Sequence, residues 1–190
     1  MHWWIALLFC LMPGLAMAQE GFDQAGLLGD WFQVAETPSI LNLDCHGTTV
    51  KINTREDSRL EMRMACHKGA LDGPVVPIDG VVVEVGPGIF QLRLVRLSHL
   101  GDLQLYVLDA QETMIVLGAP GYKVGWVWSR EAQPDEASLA KAEAVLVANG
   151  YMAGTISWVE QAERRDKAWH VRQQSLAAAL SAAAGRRGFC

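Results

Sequence analysis

The sequence predicts an all-β chain: an eight-stranded antiparallel up-and-down barrel with one C-terminal α-helix packed outside and a short ninth strand. Three observations predict it. Between Trp31 and Arg130 run eight short strand-like segments, several of them separated by turn-forming residues. Within several of these segments apolar and polar residues alternate with period 2, the mark of a strand with one dry face and one wetter face. Trp31 opens the series and Arg130 closes it. In a barrel closed on itself the first and last strands meet, and a guanidinium there can cover the indole face, an interaction of roughly 0.5–2 kcal/mol.

The chain begins with a segment that is not part of this pattern. His2-Trp3-Trp4 leads into the apolar run Ile5 to Met12, then Pro13-Gly14 and Ala16-Met17-Ala18. This reads as a secretory signal peptide, residues 1–18, cut after Ala18. The run is too short to span a bilayer comfortably. Phe9 is bulky where a lipidation site at Cys10 would require a small residue, so the expected product is a periplasmic or secreted chain with no lipid anchor.

After a lead from Gln19 to Leu28, the predicted strands are Trp31–Glu36, Thr48–Arg55, Leu60–His67, Val75–Val85, Ile89–Leu97, Leu103–Asp109, Met114–Leu117 and Val124–Arg130. Turn signals stand at Asp57-Ser58, Gly69, Asp72-Gly73, Gly86-Pro87-Gly88, Gly101-Asp102 and Ala119-Pro120-Gly121. The mostly hairpin-length connections favour the simple up-and-down order. Leu60, Met62, Met64 and Cys66 share one face while Glu61 and Arg63 share the other. Phe90, Leu92 and Leu94 oppose Gln91 and Arg93; Leu103, Leu105 and Val107 oppose Gln104 and Tyr106. Trp126 and Trp128 share parity with Arg130 and are expected to point inward, lining or filling the lower part of the barrel. The interior of such a barrel is either filled by side chains or holds a small ligand.

From Pro134-Asp135-Glu136-Ala137-Ser138 to Asn149 the composition turns helical. Asp135 or Ser138 can cap the start, and Gly150 can take a left-handed position at the end. Leu139, Ala142 and Leu146 form the stripe that would face the barrel. Thr155–Gln161 is the ninth strand. The barrel domain therefore spans 19–162. The tail, 163–190, is charged at its start and Ala-rich later, and reads as a weakly packed helix or an unstructured segment; Trp169, Val171 and Leu176 offer a small contact face for a partner.

Charge and cysteines narrow the class further. The net charge of −5 leaves no electrostatic footprint for nucleic acid. No stretch beyond the leader is long enough to span a membrane. Of the four cysteines, Cys10 falls in the leader. Cys45 and Cys66 flank the open end of one predicted hairpin. In an oxidising compartment they are expected to form a disulfide, the alternative being two free thiols. Closing that loop would contribute about 3 kcal/mol by chain entropy. Cys190 is left over, and an odd cysteine in an exported chain suggests a dimer through it or a reactive thiol. The histidines His46, His67, His99 and His170 show no paired ligand spacing, and no cysteine pair has a zinc spacing, so neither a metal nor a cofactor is expected.

Gly29-x-Trp31 followed by Phe32, Tyr106-Val107-Leu108-Asp109, and Trp126-x-x-Ser129-Arg130 occur in this order, ahead of the helix and Ile156-Ser157-Trp158-Val159-Glu160-Gln161. Together they resemble the lipocalin family (calycin-like barrels), closest to its bacterial, apolipoprotein-D-like members, over roughly Leu28 to Gln161. Glu112 departs from the pattern, standing where bacterial members usually carry an aromatic residue. The resemblance implies that Gly29, Trp31 and Arg130 build the barrel base, a structural role. It also implies a ligand of fatty-acid or lysophospholipid type.

Three functional classes follow. The first is a protein binding a small apolar molecule for transport, storage or envelope-lipid upkeep, with Met62, Met64, Phe90, Leu92, Leu105, Val107, Trp126 and Trp128 lining the pocket; methionines adapt to irregular ligands, and burial holds them at about 25 cal/mol per Å². The second is an enzyme with Cys66 as a pocket nucleophile partnered by His46 or His67, which requires Cys66 to be unbridged. The third is an envelope interaction module acting through the tail and Cys190. The first is the expected class, without catalysis.

Overall fold

The computed structural model describes residues 22–39, 44–119, 121 and 124–161. The predicted leader, the tail with its contact face and Cys190 lie outside the described residues. Nine strands run in chain order: β1 (Gly29–Glu36), β2 (Cys45–Thr54), β3 (Leu60–Lys68), β4 (Val75–Gly86), β5 (Ile89–Leu94), β6 (Leu103–Ala110), β7 (Met114–Gly118), β8 (Gly125–Ser129) and β9 (Ser157–Trp158). One helix, α1 (Glu136–Ala148), precedes β9. Each of β2 to β7 pairs antiparallel with the next, and β1 pairs with both β8 and β2. That double pairing closes an eight-stranded barrel, leaving β9 outside on β1.

β1 and β2 start earlier than predicted, at Gly29 and Cys45, and three strands are shorter than predicted. β5 ends at Leu94 rather than Leu97, and Ser98–Leu100 form a short 3-10 turn. β8 is Gly125–Ser129, two residues shorter than expected. The ninth strand contracts from Thr155–Gln161 to Ser157–Trp158, because Ala153–Thr155 form a 3-10 turn.

The segment after β9 still completes the wall. β1 parts from β2 after the pair Phe32↔Thr49. Val159 N–H then donates to Val34 O at 2.9 Å and Gly47 N–H to Glu160 O at 2.8 Å. The Gln161 amide donates to Gln33 O at 2.8 Å and Thr48 O at 3.3 Å. Residues 157–161 thus satisfy backbone groups that the diverging strands would leave buried and unpaired.

Two apolar layers result. The inner one fills the barrel; the outer one, Val34, Ala35, Met114, Val116 and Val127, is covered by Ala142 and Leu146 of α1 and by Tyr151. Leu139 packs at its edge, so the predicted stripe is the one that docks. Because both faces of β7 and β8 are covered, every residue of those strands is buried. Asp135 caps α1, accepting from Ser138 N–H at 2.9 Å, and this bond holds its carboxyl below its usual pKa. Gly150, at φ 92°, follows the helix end.

Tyr151 locks the helix exit to the β7–β8 end. Its hydroxyl donates to Val124 O at 2.7 Å and accepts from Ala119 N–H at 3.0 Å. Gly118 makes room for it: a Cβ there would stand 2.6 Å from the Tyr151 hydroxyl and 2.8 Å from Leu108 Cδ1. Gly118→Ala is expected to destabilise the fold by about 1–3 kcal/mol, the usual cost of overpacking. Chemical denaturation measures it, and an unchanged midpoint would mean that Tyr151 can move aside freely.

The β2–β3 turn at the barrel base holds a compact ion cluster. Arg59 Nε donates to Asp57 at 2.9 Å, and Arg55 lies 3.4 Å from the same carboxylate. The Arg59 hydrogen bond is the main cause that lowers the Asp57 pKa from 3.8 to about 2. A carboxyl with a depressed folded-state pKa supports the fold above its unfolded value and loses that support as pH falls through the folded one. The turn's contribution is therefore complete above about pH 4 and lost towards pH 2. Carbon-detected NMR titration of Asp57 should give a midpoint near the lower value, whereas a midpoint near 4 would remove the cluster from the account.

Candidate functional site

The barrel base is built around Trp31. Its indole is 2% exposed and donates from Nε1 to Leu27 O at 2.8 Å. The Arg130 guanidinium lies over the ring, Cζ 3.3 Å from its centroid. Arg130 also donates to Asp30 O at 2.8 Å and Leu28 O at 2.7 Å. Partial burial pulls its pKa down and neighbouring Asp30 opposes this, but an arginine remains charged. Gly29, at φ 97°, has no room for a side chain: a Cβ would stand 3.0 Å from Arg130 Nη1. The 3-10 turn Gln24–Leu27, capped by Asp23, crosses beneath, and Phe22 meets Phe90 edge-on at 6.2 Å. The motif expected at the base is therefore assembled there, as a structural closure.

All eight side chains expected to face inward do so. Met62, Met64, Phe90, Leu92, Leu105, Val107, Trp126 and Trp128 belong to one buried cluster together with Trp31, Val50, Ile52 and Leu117. The lower half of this interior is filled. A cavity bounded by Leu27, Ile52, Met62, Val82, Phe90 and Trp128, among others, measures about 10 Å³, about the space of one water. Trp128 reaches this level, but Trp126 does not belong to the base. It stands opposite Glu36 and Leu117, towards the mouth, and stacks on Trp128 at 6.0 Å with a 16° interplanar angle.

The mouth half of the interior has two unlike walls. Met64, Ile78, Leu94 and Leu103 make the apolar one, carried by β3 to β6. The other, on β2, β1 and β8, carries polar groups. Gln33 is fully buried, opposite Trp128, and its side-chain oxygen Oε1 accepts from Trp128 Nε1 at 3.4 Å. The Gln33 amide donates to the carboxylate of Glu36. Thr48 shares the parity of Val50 and Ile52 and is 2% exposed. Two buried polar atoms on this wall have no hydrogen-bond partner, Trp126 Nε1 and Thr48 Oγ1. The sequence reading passed over Gln33, Glu36 and Thr48. The signal was present for Gln33, which shares the parity of inward-facing Trp31.

Cys45 and Cys66 are joined in a disulfide, with Cα atoms 5.4 Å apart. They are diagonal rather than directly opposite. Cys45 pairs with Lys68, two residues beyond Cys66 on β3, and His46 pairs with His67. Cys66 is fully buried on the inward face. A disulfide sulfur is not a nucleophile, so the enzyme reading through Cys66 has no thiol to use. His46 and His67 do meet, as the flanking cysteines implied. The His67 ring nitrogen Nδ1 stands 3.1 Å from Gly73 O. Among the described residues no group of three metal-ligating side chains comes together, and no helix is long and apolar enough to cross a membrane.

The family model described as a lipocalin-like domain matches residues 22–161, which include all nine strands and the helix. The chain belongs to the lipocalin-like domain family. Solved lipocalin-like neighbours share the barrel at low identity. A major allergen of cockroaches, Per a 4, is 17% identical with a TM-score of 0.63, over 78% of this chain and 94% of that one. Insecticyanin from the tobacco hornworm Manduca sexta is 14% identical with a TM-score of 0.60, over 77% and 84%. Lobster apocrustacyanin A1 is 14% identical with a TM-score of 0.59, over 73% and 79%. At these identities the likeness establishes the fold alone. No curated protein matches the chain in sequence.

Proposed function

We propose that this lipocalin-like chain is a binding protein without catalytic activity, holding one small apolar molecule in the mouth half of its barrel. The observation that carries the reading is the inward face: an apolar cluster drawn from all eight barrel strands, with polar groups confined to one wall of the mouth half, closed at the base by Trp31 and Arg130. Pockets of this kind hold ligands by burial, with a few polar groups setting orientation. Because the base is filled, the ligand seats above Trp128, against Met64, Leu94 and Leu103. Met62 and Met64 are the unbranched side chains best able to move aside for it.

The motif order supports membership of the bacterial, apolipoprotein-D-like branch and, with it, an acyl-chain ligand of fatty-acid or lysophospholipid type. The leader pattern of residues 1–18 and the Cys45–Cys66 bridge support export to an oxidising compartment. Transport, storage or upkeep of envelope lipid is the role consistent with that placement. Native mass spectrometry of delipidated protein mixed with single-chain lipids tests the reading. A saturable one-to-one complex is expected; a bare chain at every lipid concentration would refute it.

A further inference from the structure

We propose that the start of β4 and the β5–β6 loop form a tip at the barrel mouth that docks on a phospholipid bilayer, its valines entering the acyl layer and Arg96 meeting lipid phosphate. This names the surface with which the ligand is exchanged; the exchange rests on the proposed binding function, while the docking stands on observations of its own. Pro74, Val75, Val76 and Pro77 are exposed in succession. Val75 is 60% exposed, and Val95, on the neighbouring loop, is 59% exposed. β4 outruns its neighbour here. Val75 and Val76 pair with His67 and Cys66 of β3, whereas pairing with β5 ends at Gly80↔Leu94 and the bond from Val95 N–H to Asp79 O at 2.9 Å. Val76 shares the parity of Ile78 and Gly80, which face inward, yet it is exposed because the tip stands above the rim. Such an uncharged apolar run on the surface marks a place of contact.

Three observations favour a bilayer over a second protein. The free edge of the tip carries Pro77, which has no N–H to donate, and Pro74 precedes it; prolines on a sheet edge block the addition of another strand. The charge beside the valines suits phosphate. Arg96 is exposed between Val95 and Leu97 and forms no ion pair among the described residues. The acid on the same loop, Asp102, is engaged by Arg93 through two hydrogen bonds of 2.7 Å. Leu97 packs inward against the core and fixes the loop, so that Val95 and Arg96 stay outside. An arginine among apolar side chains fits the bilayer interface, its stem along the acyl chains and its guanidinium on phosphate. The tip is also continuous with the proposed site: Ile78 and Leu94, just below it, belong to the apolar wall of the mouth half. An acyl chain can pass from the bilayer to that wall without crossing water.

The test floats the full-length protein with phosphatidylcholine vesicles, with and without phosphatidylglycerol. Wild-type protein is expected to float with both. Val75→Asp combined with Val95→Asp should weaken binding about ten-fold, the scale of two valine side chains kept in water. Val85→Asp is the control, because Val85 is 54% exposed at the opposite end of β4; it should float like the wild type. Arg96→Gln should weaken binding to the phosphatidylglycerol vesicles more than to the others. On the wild-type protein, phospholipid spin-labelled in its acyl chain should broaden the methyl resonances of Val75, Val76 and Val95 and leave Val85 sharp, a readout independent of how well the variants fold. No flotation, equal flotation of the Val75/Val95 double variant, or broadening at Val85 instead would overturn the docking and leave a binding barrel. A dimer in sedimentation that the double variant dissolves, without flotation, would give the tip to a second copy and overturn it too. Flotation by a protein that takes up no single-chain lipid would uphold the docking and overturn the binding function, and the exchange with it.

Discussion

Trp31→Ala is expected to lower the free energy of unfolding by about 3–5 kcal/mol, the cost of truncating a fully buried aromatic side chain. The indole is the floor of the barrel. It packs among Leu27, Val50 and Ile52, and its removal opens a void beneath the filled lower half. Arg130→Met keeps the side-chain stem and deletes the guanidinium. That change removes the stacking on Trp31 and leaves Asp30 O and Leu28 O without their donors, for an expected loss of about 2 kcal/mol. The two residues touch, so their effects should not add. A double-mutant cycle by chemical denaturation should show a coupling of about 1 kcal/mol. If Trp31→Ala cost less than about 1 kcal/mol, the base would not belong to the cooperative core.

The second large effect belongs to the disulfide. Replacing both Cys45 and Cys66 by alanine should cost about 3 kcal/mol, given the loop that the bridge closes in the unfolded chain. The two cysteines are separated by 21 positions. Reductant should lower the midpoint of the wild-type protein and leave that of the double variant where it is. An equal response of both would mean that the bridge does not constrain the unfolded state. The bridge also ties the mouth ends of β2 and β3 together beside Met64, so the double variant should bind the apolar ligand more weakly.

The fold was legible in the sequence wherever one face of a strand is wet. In β3, β5 and β6 the alternation named Met62, Met64, Phe90, Leu92, Leu105 and Val107 as inward, and all six belong to the interior cluster. The Asp135 cap and the cysteine pairing were legible for the same local reasons. β1, β7 and β8 read differently, as nearly continuous apolar runs, because α1 and residues 157–161 cover their outer faces; strands buried on both sides lose their period. There only parity with Trp31 or Arg130 separated inside from outside.

The polar wall was harder to see, because its meaning is made by distant partners. Gln33 is polar and stands between apolar Phe32 and Val34, yet Phe32 is the outer one and Gln33 is fully buried. Gln161 gains its role only where β1 and β2 diverge, more than a hundred residues away in sequence. Tyr151, just past the helix, gives no local hint that it will hold Ala119 and Val124. Such contacts join residues that no window along the chain contains. The height of Trp126 in the barrel was likewise set by the β1–β8 register, which shifts at a bulge between Gln33 and Ala35.

The central claim is that one ligand enters the mouth half of this barrel above a filled base. Methionine-methyl NMR tests it most directly, because the methionines sit in distinct layers. Met62 and Met64 face the interior, Met114 lies in the outer layer under α1, and Met152 is exposed. Titration with methyl laurate should move the Met64 methyl resonance most and Met62 next, saturating at one equivalent, while Met114 and Met152 stay fixed. Shifts confined to Met114 or Met152, or no saturable shift at Met64, would contradict a ligand inside the barrel.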